Sequence, residues 1–299
     1  MPILSDCHVH TSFSADSDTP MEDQIRAAIA AGLTTLCFTE HVDLDSPFRN
    51  TPLDDPESDF RIDYDAYRKS FLQYRERYAD KISLYFGLEM GLNTSYAEEV
   101  SNYIHAHPDF DFVIGSTHSA RNGMDPYYAS FFDKPGEESA ADPQEEAAWD
   151  PYRIYFETAL QNVRTFSSQK LFDSYGHLDY ILRCGPGRAD GSRKEQTSGW
   201  YYRQHADLID AILRELILHE RALELNTSPL KKGFPETNPG KAVLKRYYEL
   251  GGRLITIGSD AHVPEAVGYR FDQAAALLSE CGFRRYVTYE KRMPIWHAL

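Results

Sequence analysis

At 299 residues, with 42% hydrophobic and 26% charged side chains, the chain has the composition of a soluble globular protein able to bury a sizeable core. A net charge of −15 argues against nucleic acid as a partner, and no apolar run approaches the ~18 residues that a membrane span needs. Cys7, Cys37, Cys184 and Cys281 form no C-x-x-C pair, which argues against a disulfide framework or a cysteine metal site and suits a reducing cytoplasm.

The first strand-like run, Ile3–Cys7, has no leader pattern before it and passes directly into His8-Val9-His10. In an extended chain residues two apart point the same way, so both imidazoles can reach one ion. The next loop carries Asp16. Thr19-Pro20-Met21-Glu22 predicts a capping box opening a helix that Gly32 ends. A second strand, expected over Thr34–Thr39, leads to Glu40-His41, then to a polar, proline-rich stretch, Asp43–Asp59. A helix expected over Asp63–Tyr78 precedes a third strand over Ile82–Leu88, which ends at Glu89. Another expected helix, Tyr96–His105, precedes a fourth strand, Phe110–Gly115, and Ser116-Thr117-His118.

The stretch Ala120–Asp150 interrupts this rhythm with Tyr127, Tyr128, Phe131, Phe132 and the acidic run GEESAADPQEEAAWD. It follows a strand on the face where barrels build their sites, so a lid is expected there. Beyond it come an expected helix over Pro151–Ser168 and a strand over Leu171–Gly176 ending at His177. A helix over Trp200–His219 and a strand over Ala222–Asn226 are next. A helix over Pro239–Leu250 leads to a strand over Leu254–Gly258, then Ser259-Asp260-Ala261-His262. The last helix is expected over Pro264–Cys281. An eighth run, Tyr286–Tyr289, ends without a ligand-type residue.

Strand–helix alternation predicts an α/β barrel of parallel strands, with residues 1–299 as a single domain. His8, His10, Asp16, His41, Glu89, His118, His177, Asp260 and His262 then all fall at carboxyl ends of strands or in the loops that follow. One such residue means little, but nine on one face predict a site for several divalent ions. Mixed imidazole and carboxylate ligation suits zinc, iron or manganese. His105-Ala106-His107 has the same H-x-H spacing but precedes the fourth strand, at the amino end, and is read as surface. His205, His219 and His297 are read as structural or solvent-exposed.

Together these motifs resemble the polymerase and histidinol phosphatase (PHP) family along Asp6–His262, and within it the stand-alone histidinol-phosphate phosphatases. DCHVHTSFSAD, G-H-L-D-Y with Arg183 six residues after His177, and L-E-L-N-T-S at 223–228 carry the finer likeness. The resemblance implies a distorted (β/α)7 barrel, similar to a TIM barrel, with three metal ions. His8, His10, Glu89 and Asp260 would hold one, and Glu89 would bridge to a second held by His118 and His177. Asp16, His41 and His262 would hold the third. Where the family commonly has glycine-leucine-arginine after N-T-S, this chain has Pro229-Leu230-Lys231. Lysine neutralises phosphate as a point charge, without the fork of arginine.

The implied activity is hydrolysis of L-histidinol phosphate to L-histidinol and phosphate, in histidine biosynthesis, by a metal-bridging hydroxide. Glu89, Asp260, His262 and Arg183 are the expected catalytic residues, and Arg183 and Lys231 the expected substrate contacts. Three divalent cations outweigh the three carboxylates, so an acidic chain would still present a positive pocket to a small phosphate ester. The alternatives are a broader phosphoesterase of the same family, an amidohydrolase and a non-catalytic metal-binding domain. An amidohydrolase usually places a lysine where this chain has His118, and would leave Asp16, His41 and His262 without a task.

Overall fold

A computed structural model describes residues 2–44, 60–120, 124–133, 149–184 and 197–299, with the side chains at 129 and 130 not described. Seven parallel strands follow one another in sheet order: β1 (Ser5–Val9), β2 (Thr35–Val42), β3 (Ser83–Gly91), β4 (Phe112–Ser116), β5 (Ser174–Tyr175), β6 (Ala222–Asn226) and β7 (Ile255–Gly258). They are almost wholly buried because helices cover the outside and side chains fill the inside. Registers such as His41↔Glu89 and Asn226↔Gly258 bring their carboxyl ends level.

The sheet curls into a nearly closed barrel. Between β1 and β7 the junction is made at the carboxyl end, by a parallel bridge of Val9 with Ala261. The Asp260 N–H donates to His8 O at 2.8 Å and the His10 N–H to Ala261 O at 2.9 Å. Barrel closure thus joins the two segments that carry His8, His10, Asp260 and His262. An extra residue between Asp6 and Val9 shifts the β1 register beside this point, as bulges often do next to sites.

Helices α1 (Met21–Ala30), α2 (Tyr64–Arg77), α3 (Ala97–Ala106), α4 (Pro151–Ser167), α5 (Ser198–Leu218), α6 (Ser228–Lys231), α7 (Lys241–Glu249) and α8 (Phe271–Cys281) lie within or close to the expected spans, apart from the one-turn α6, which no periodic pattern predicts. Asp63 caps α2 by accepting from the Ala66 N–H at 3.0 Å, and Asp150 caps α4 through the Tyr152 and Arg153 N–H groups. The capping box expected at Thr19 does not form. Its hydroxyl donates instead to His262 O at 2.8 Å, and so ties the start of α1 to the loop after β7. The helix expected from Pro264 begins at Phe271, because Gly268 and Arg270 take left-handed backbone angles and leave only a 3-10 turn, Pro264–Ala266.

The eighth run is not a barrel strand. β8 (Arg285–Glu290) pairs antiparallel with β9 (Met293–Ala298). Its Val287 and Tyr289 pack with Cys7, Cys37, Phe112, Ile114 and Ala222, closing the amino end of the barrel, opposite the expected site. The chain segment read as a lid lies outside the described residues at 121–123 and 134–148, as do residues 45–59 of the earlier polar stretch.

Candidate metal centre

Glu89, at the end of β3 and fully buried, is the centre of the constellation. Its two oxygens face different imidazoles. Oε2 lies 2.9 Å from His8 Nε2, 3.2 Å from His41 Nδ1 and 3.3 Å from His10 Nε2. Oε1 lies 2.8 Å from His177 Nε2 and 3.2 Å from His118 Nε2, and accepts from the Ser116 hydroxyl at 2.6 Å. Asp260 Oδ1 stands 3.5 Å from His10 Nε2, 3.6 Å from His262 Nδ1 and 3.8 Å from His8 Nε2. Asp16 Oδ2 completes the outer side, 2.9 Å from His262 Nε2 and 3.6 Å from His41 Nε2. All nine sequence-derived candidates therefore meet in one pocket.

The donor atoms fall into groups compact enough for an ion: His8, His10 and Asp260; His8, Glu89 and His177; His10, His41 and His262; His41, Asp43 and His118. The His10 ring stacks between His41 and His262, with centroids 4.2 and 4.3 Å away. Imidazoles crowded beside carboxylates in this way are suited to holding cations. One donor carries a more direct sign: His10 Nε2 is buried and has no hydrogen-bond partner, although oxygens of Glu89 and Asp260 are close to it. A divalent ion satisfies such a nitrogen and the carboxylates together.

The electrostatics agree. Burial favours neutral imidazole, yet the Glu89, Glu224 and Asp260 carboxylates hold the His8 pKa well above its ordinary value. Against the same burial, Asp260 and Glu89 raise His10 to about 9. His41 is pushed down to about 4 by burial and by the neighbouring charge of His10. Burial would raise the acids, but Arg183 and His8 hold Asp260 far below the carboxylate range, and His8 and His41 do the same for Glu89. The pocket concentrates negative charge, which protons neutralise when metal does not.

Three acidic residues not among the nine stand behind the imidazoles. Glu224, in β6, lies 2.6 Å from His8 Nδ1 and accepts from the His177 N–H at 2.8 Å. Asp43 contacts His118 Nδ1 at 3.0 and 3.1 Å. Glu40 accepts from the Ser14 hydroxyl at 2.6 Å, and that hydroxyl is 3.2 Å from His10 Nδ1. In each case an acceptor on Nδ1 turns Nε2 toward the pocket. Glu224 had a sequence signal, a lone carboxylate between two leucines of a buried strand. Asp43 and Glu40 had none. Strand alternation points Glu40 away from His41, and only the fold brings it under His10.

Backbone detail serves the same end. Asp260 adopts φ 54°, a left-handed conformation that costs energy in a non-glycine residue and clusters at functional sites. Asp6 holds the loop there, accepting from the Ser259 N–H and hydroxyl and the Gly268 N–H. A Cβ on Gly258 would stand 2.3 Å from His8 Cβ and 2.6 Å from Glu224 Oε1, so only glycine fits between strand and imidazole.

The PHP domain model matches residues 6–228. The chain belongs to the PHP family. A probable histidinol-phosphatase of Clostridium acetobutylicum is 32% identical over 291 residues, 97% of this chain and 98% of that relative. The crystal structure of histidinol phosphate phosphatase from Lactococcus lactis, complexed with Zn, L-histidinol and phosphate, is similar at TM-score 0.77 and 29% identity, covering 97% of this chain and 98% of that one. A putative histidinol phosphatase of Listeria monocytogenes shares the fold, with TM-score 0.69 at 19% identity and coverage of 90% and 99%.

In front of this PHP centre lies an open cleft of about 700 Å³, within the range of small-ligand sites. Asp16, His41, His118, His177, Asp260 and His262 line its floor, and Arg183 and Lys231 line it as well. Arg183 closes the 3-10 turn Tyr180–Arg183. Its Nε donates to Asn238 Oδ1 at 2.8 Å and its Nη1 to Asp260 Oδ2 at 2.7 Å, while Nη2 is buried without a hydrogen-bond partner. Lys231 ends α6, the turn that begins at Ser228 of the N-T-S motif. His105 and His107 stay outside the centre: their Nδ1 atoms lie 2.7 and 2.8 Å from the carbonyls of Ser101 and Tyr103, four residues back. His297 pairs with Thr288 in the terminal hairpin, and His205 sits at a kink in α5.

Proposed function

We propose that this PHP protein is a metal-dependent phosphomonoesterase that hydrolyses L-histidinol phosphate to L-histidinol and phosphate. The observation that carries the reading is Glu89, whose two oxygens face two separate sets of imidazoles, the arrangement a carboxylate needs to bridge two ions. Full-length similarity to histidinol-phosphatases supports the choice of substrate. We assign His8, His10, Glu89 and Asp260 to one divalent ion, Glu89, His118 and His177 to a second, and Asp16, His41 and His262 to a third. The residues fit zinc, as in the Lactococcus lactis structure, and equally iron or manganese. Divalent ions held there would supply Lewis acidity and lower the pKa of bound water toward neutrality.

The chain's own groups do the rest. Glu224 orients His8, and the Asp260 loop is held by Asp6. Arg183 is fixed by Asp260 and Asn238, leaving Nη2 to pair with a phosphoryl oxygen; a buried guanidinium cannot give up its proton and so remains a donor. Lys231, which also lines the cleft, adds a point charge. Asp260 and His262 line the cleft with Arg183 and would act on the phosphoryl group from there. Residues 1–299 act as one PHP-type barrel domain. Four free, buried cysteines and the absence of any sufficiently long apolar helix among the described residues support a cytoplasmic enzyme.

The test is a phosphatase assay on metal-loaded protein, comparing histidinol phosphate with sugar phosphates and a nucleotide. A kcat/KM for histidinol phosphate well above the panel supports the reading. Equal rates across the panel reduce it to a general phosphoesterase of the family.

A further inference from the structure

Beyond its ligand residues, the cleft contains a carboxylate that the metal centre does not use. Asp16, Asp43 and Asp260 line the cleft and each lies against an imidazole nitrogen of the cluster. Asp125 lines it too, but with other neighbours. Its Oδ1 accepts from the Tyr127 N–H at 2.7 Å and is 3.5 Å from the Tyr180 hydroxyl. The Tyr180 ring meets His118 edge-on at a centroid distance of 5.6 Å and lies 5.4 Å from the His177 ring. The Arg183 guanidinium carbon is 5.7 Å from the same ring. Tyr180 thus separates Asp125 from the two imidazoles facing Glu89 Oε1 and from the arginine that awaits an anion.

We propose that Asp125 is a specificity-determining residue, whose carboxylate receives an ammonium group carried by the phosphomonoester substrate. The inference rests on reading the site as a phosphomonoesterase. A substrate whose phosphate is held by Arg183 extends its organic part across Tyr180 and reaches the Asp125 carboxylate. Ionised partners in a partly enclosed cleft make the stronger class of hydrogen bond. Tyr127 and Tyr180 line the cleft beside this carboxylate. An acidic chain gains from this division: the metal centre and Arg183 select the dianionic end, and Asp125 selects for positive charge at the other. Sugar phosphates, with hydroxyls there, lose that interaction.

The experiment uses metal-loaded protein and two matched substrate pairs, histidinol phosphate with its deamino analogue and aminoethyl phosphate with ethyl phosphate. The quantity read is the ratio of kcat/KM within a pair, so the fraction of active enzyme in a preparation cancels. The native protein is expected to favour the amine-bearing member of each pair by roughly 10- to 100-fold, and Asp125→Asn to remove most of that preference. Absence of a preference in the native protein overturns the proposal without any variant. A preference that Asp125→Asn leaves intact also overturns it, while activity on histidinol phosphate would still stand. If the native protein prefers aminoethyl phosphate and Asp125→Asn abolishes this, but histidinol phosphate is not cleaved, Asp125 keeps its role and the proposed substrate fails.

Discussion

Glu224 Oε1 lies 2.6 Å from His8 Nδ1, and the opposite nitrogen of that ring is turned to Glu89 at 2.9 Å. The pair crosses the barrel interior from β6 to β1, and both side chains are buried. A carboxylate behind a ligand imidazole fixes its tautomer and raises its basicity. Glu224→Gln should therefore weaken metal binding by roughly 10- to 100-fold while the fold is kept. Titration of the metal-free variant in buffered zinc, with circular dichroism as the folding control, measures this. Native affinity in the variant would remove Glu224 from the centre.

Glu89 is the residue whose loss reaches every group in the pocket. Glu89→Ala is expected to lose bound metal and phosphatase activity together, because both imidazole sets lose their shared carboxylate. Elemental analysis beside a rate measurement decides it; unchanged turnover would rule out a bridging role.

Arg183 contributes differently. Arg183→Ala should raise KM by roughly 10- to 100-fold with metal retained, since charge-assisted hydrogen bonds to the substrate are lost and the imidazoles are untouched. A variant that loses metal instead would show that the Arg183–Asp260 pair, at 2.7 Å, mainly supports the ligand loop.

A pH effect follows from His10, held at about 9 by Asp260 and Glu89 against its own burial. Because this value exceeds the ordinary 6.5, protonated His10 stabilises the metal-free protein below pH 6.5, and the contribution is lost as pH rises through about 9. Metal competes with the same proton. Zinc uptake at pH 7 should release protons, and affinity should rise between pH 6.5 and 9. Calorimetry in buffers of different ionisation enthalpy measures the release. Uptake with no proton release would contradict the assigned charge of the pocket.

Gly258→Ala tests the packing behind the centre. The added methyl meets His8 Cβ and Glu224 Oε1 at 2.3 and 2.6 Å, contacts that neither strand can relieve without moving. Overpacking of this kind costs about 1–3 kcal/mol, read as a lower melting temperature, and it should displace His8 enough to reduce metal content. A variant with native melting temperature and metal load would mean that β7 yields at this position.

Much of this protein was legible in one dimension. Buried parallel strands are nearly continuous apolar runs, and each was followed by a polar residue that burial alone does not explain. That contrast exposed the barrel order and all nine candidate ligands, and it separated His8-Val9-His10 from His105-Ala106-His107. Capping was less legible, because Thr19 had a second use, holding the His262 carbonyl, that competes with its own helix.

What the sequence determined by itself was the set of donor types and the strand end at which each is delivered, since both depend on local pattern. Tertiary structure decided how they are used. The orientation of Glu89 between two imidazole sets, the pairing of Glu224, Asp43 and Glu40 with the reverse sides of the rings, and the place of Asp125 beyond Tyr180 join residues from strands and loops far apart in the chain. Such contacts depend on barrel curvature, register and closure, and so exist only once the seven strands have come together.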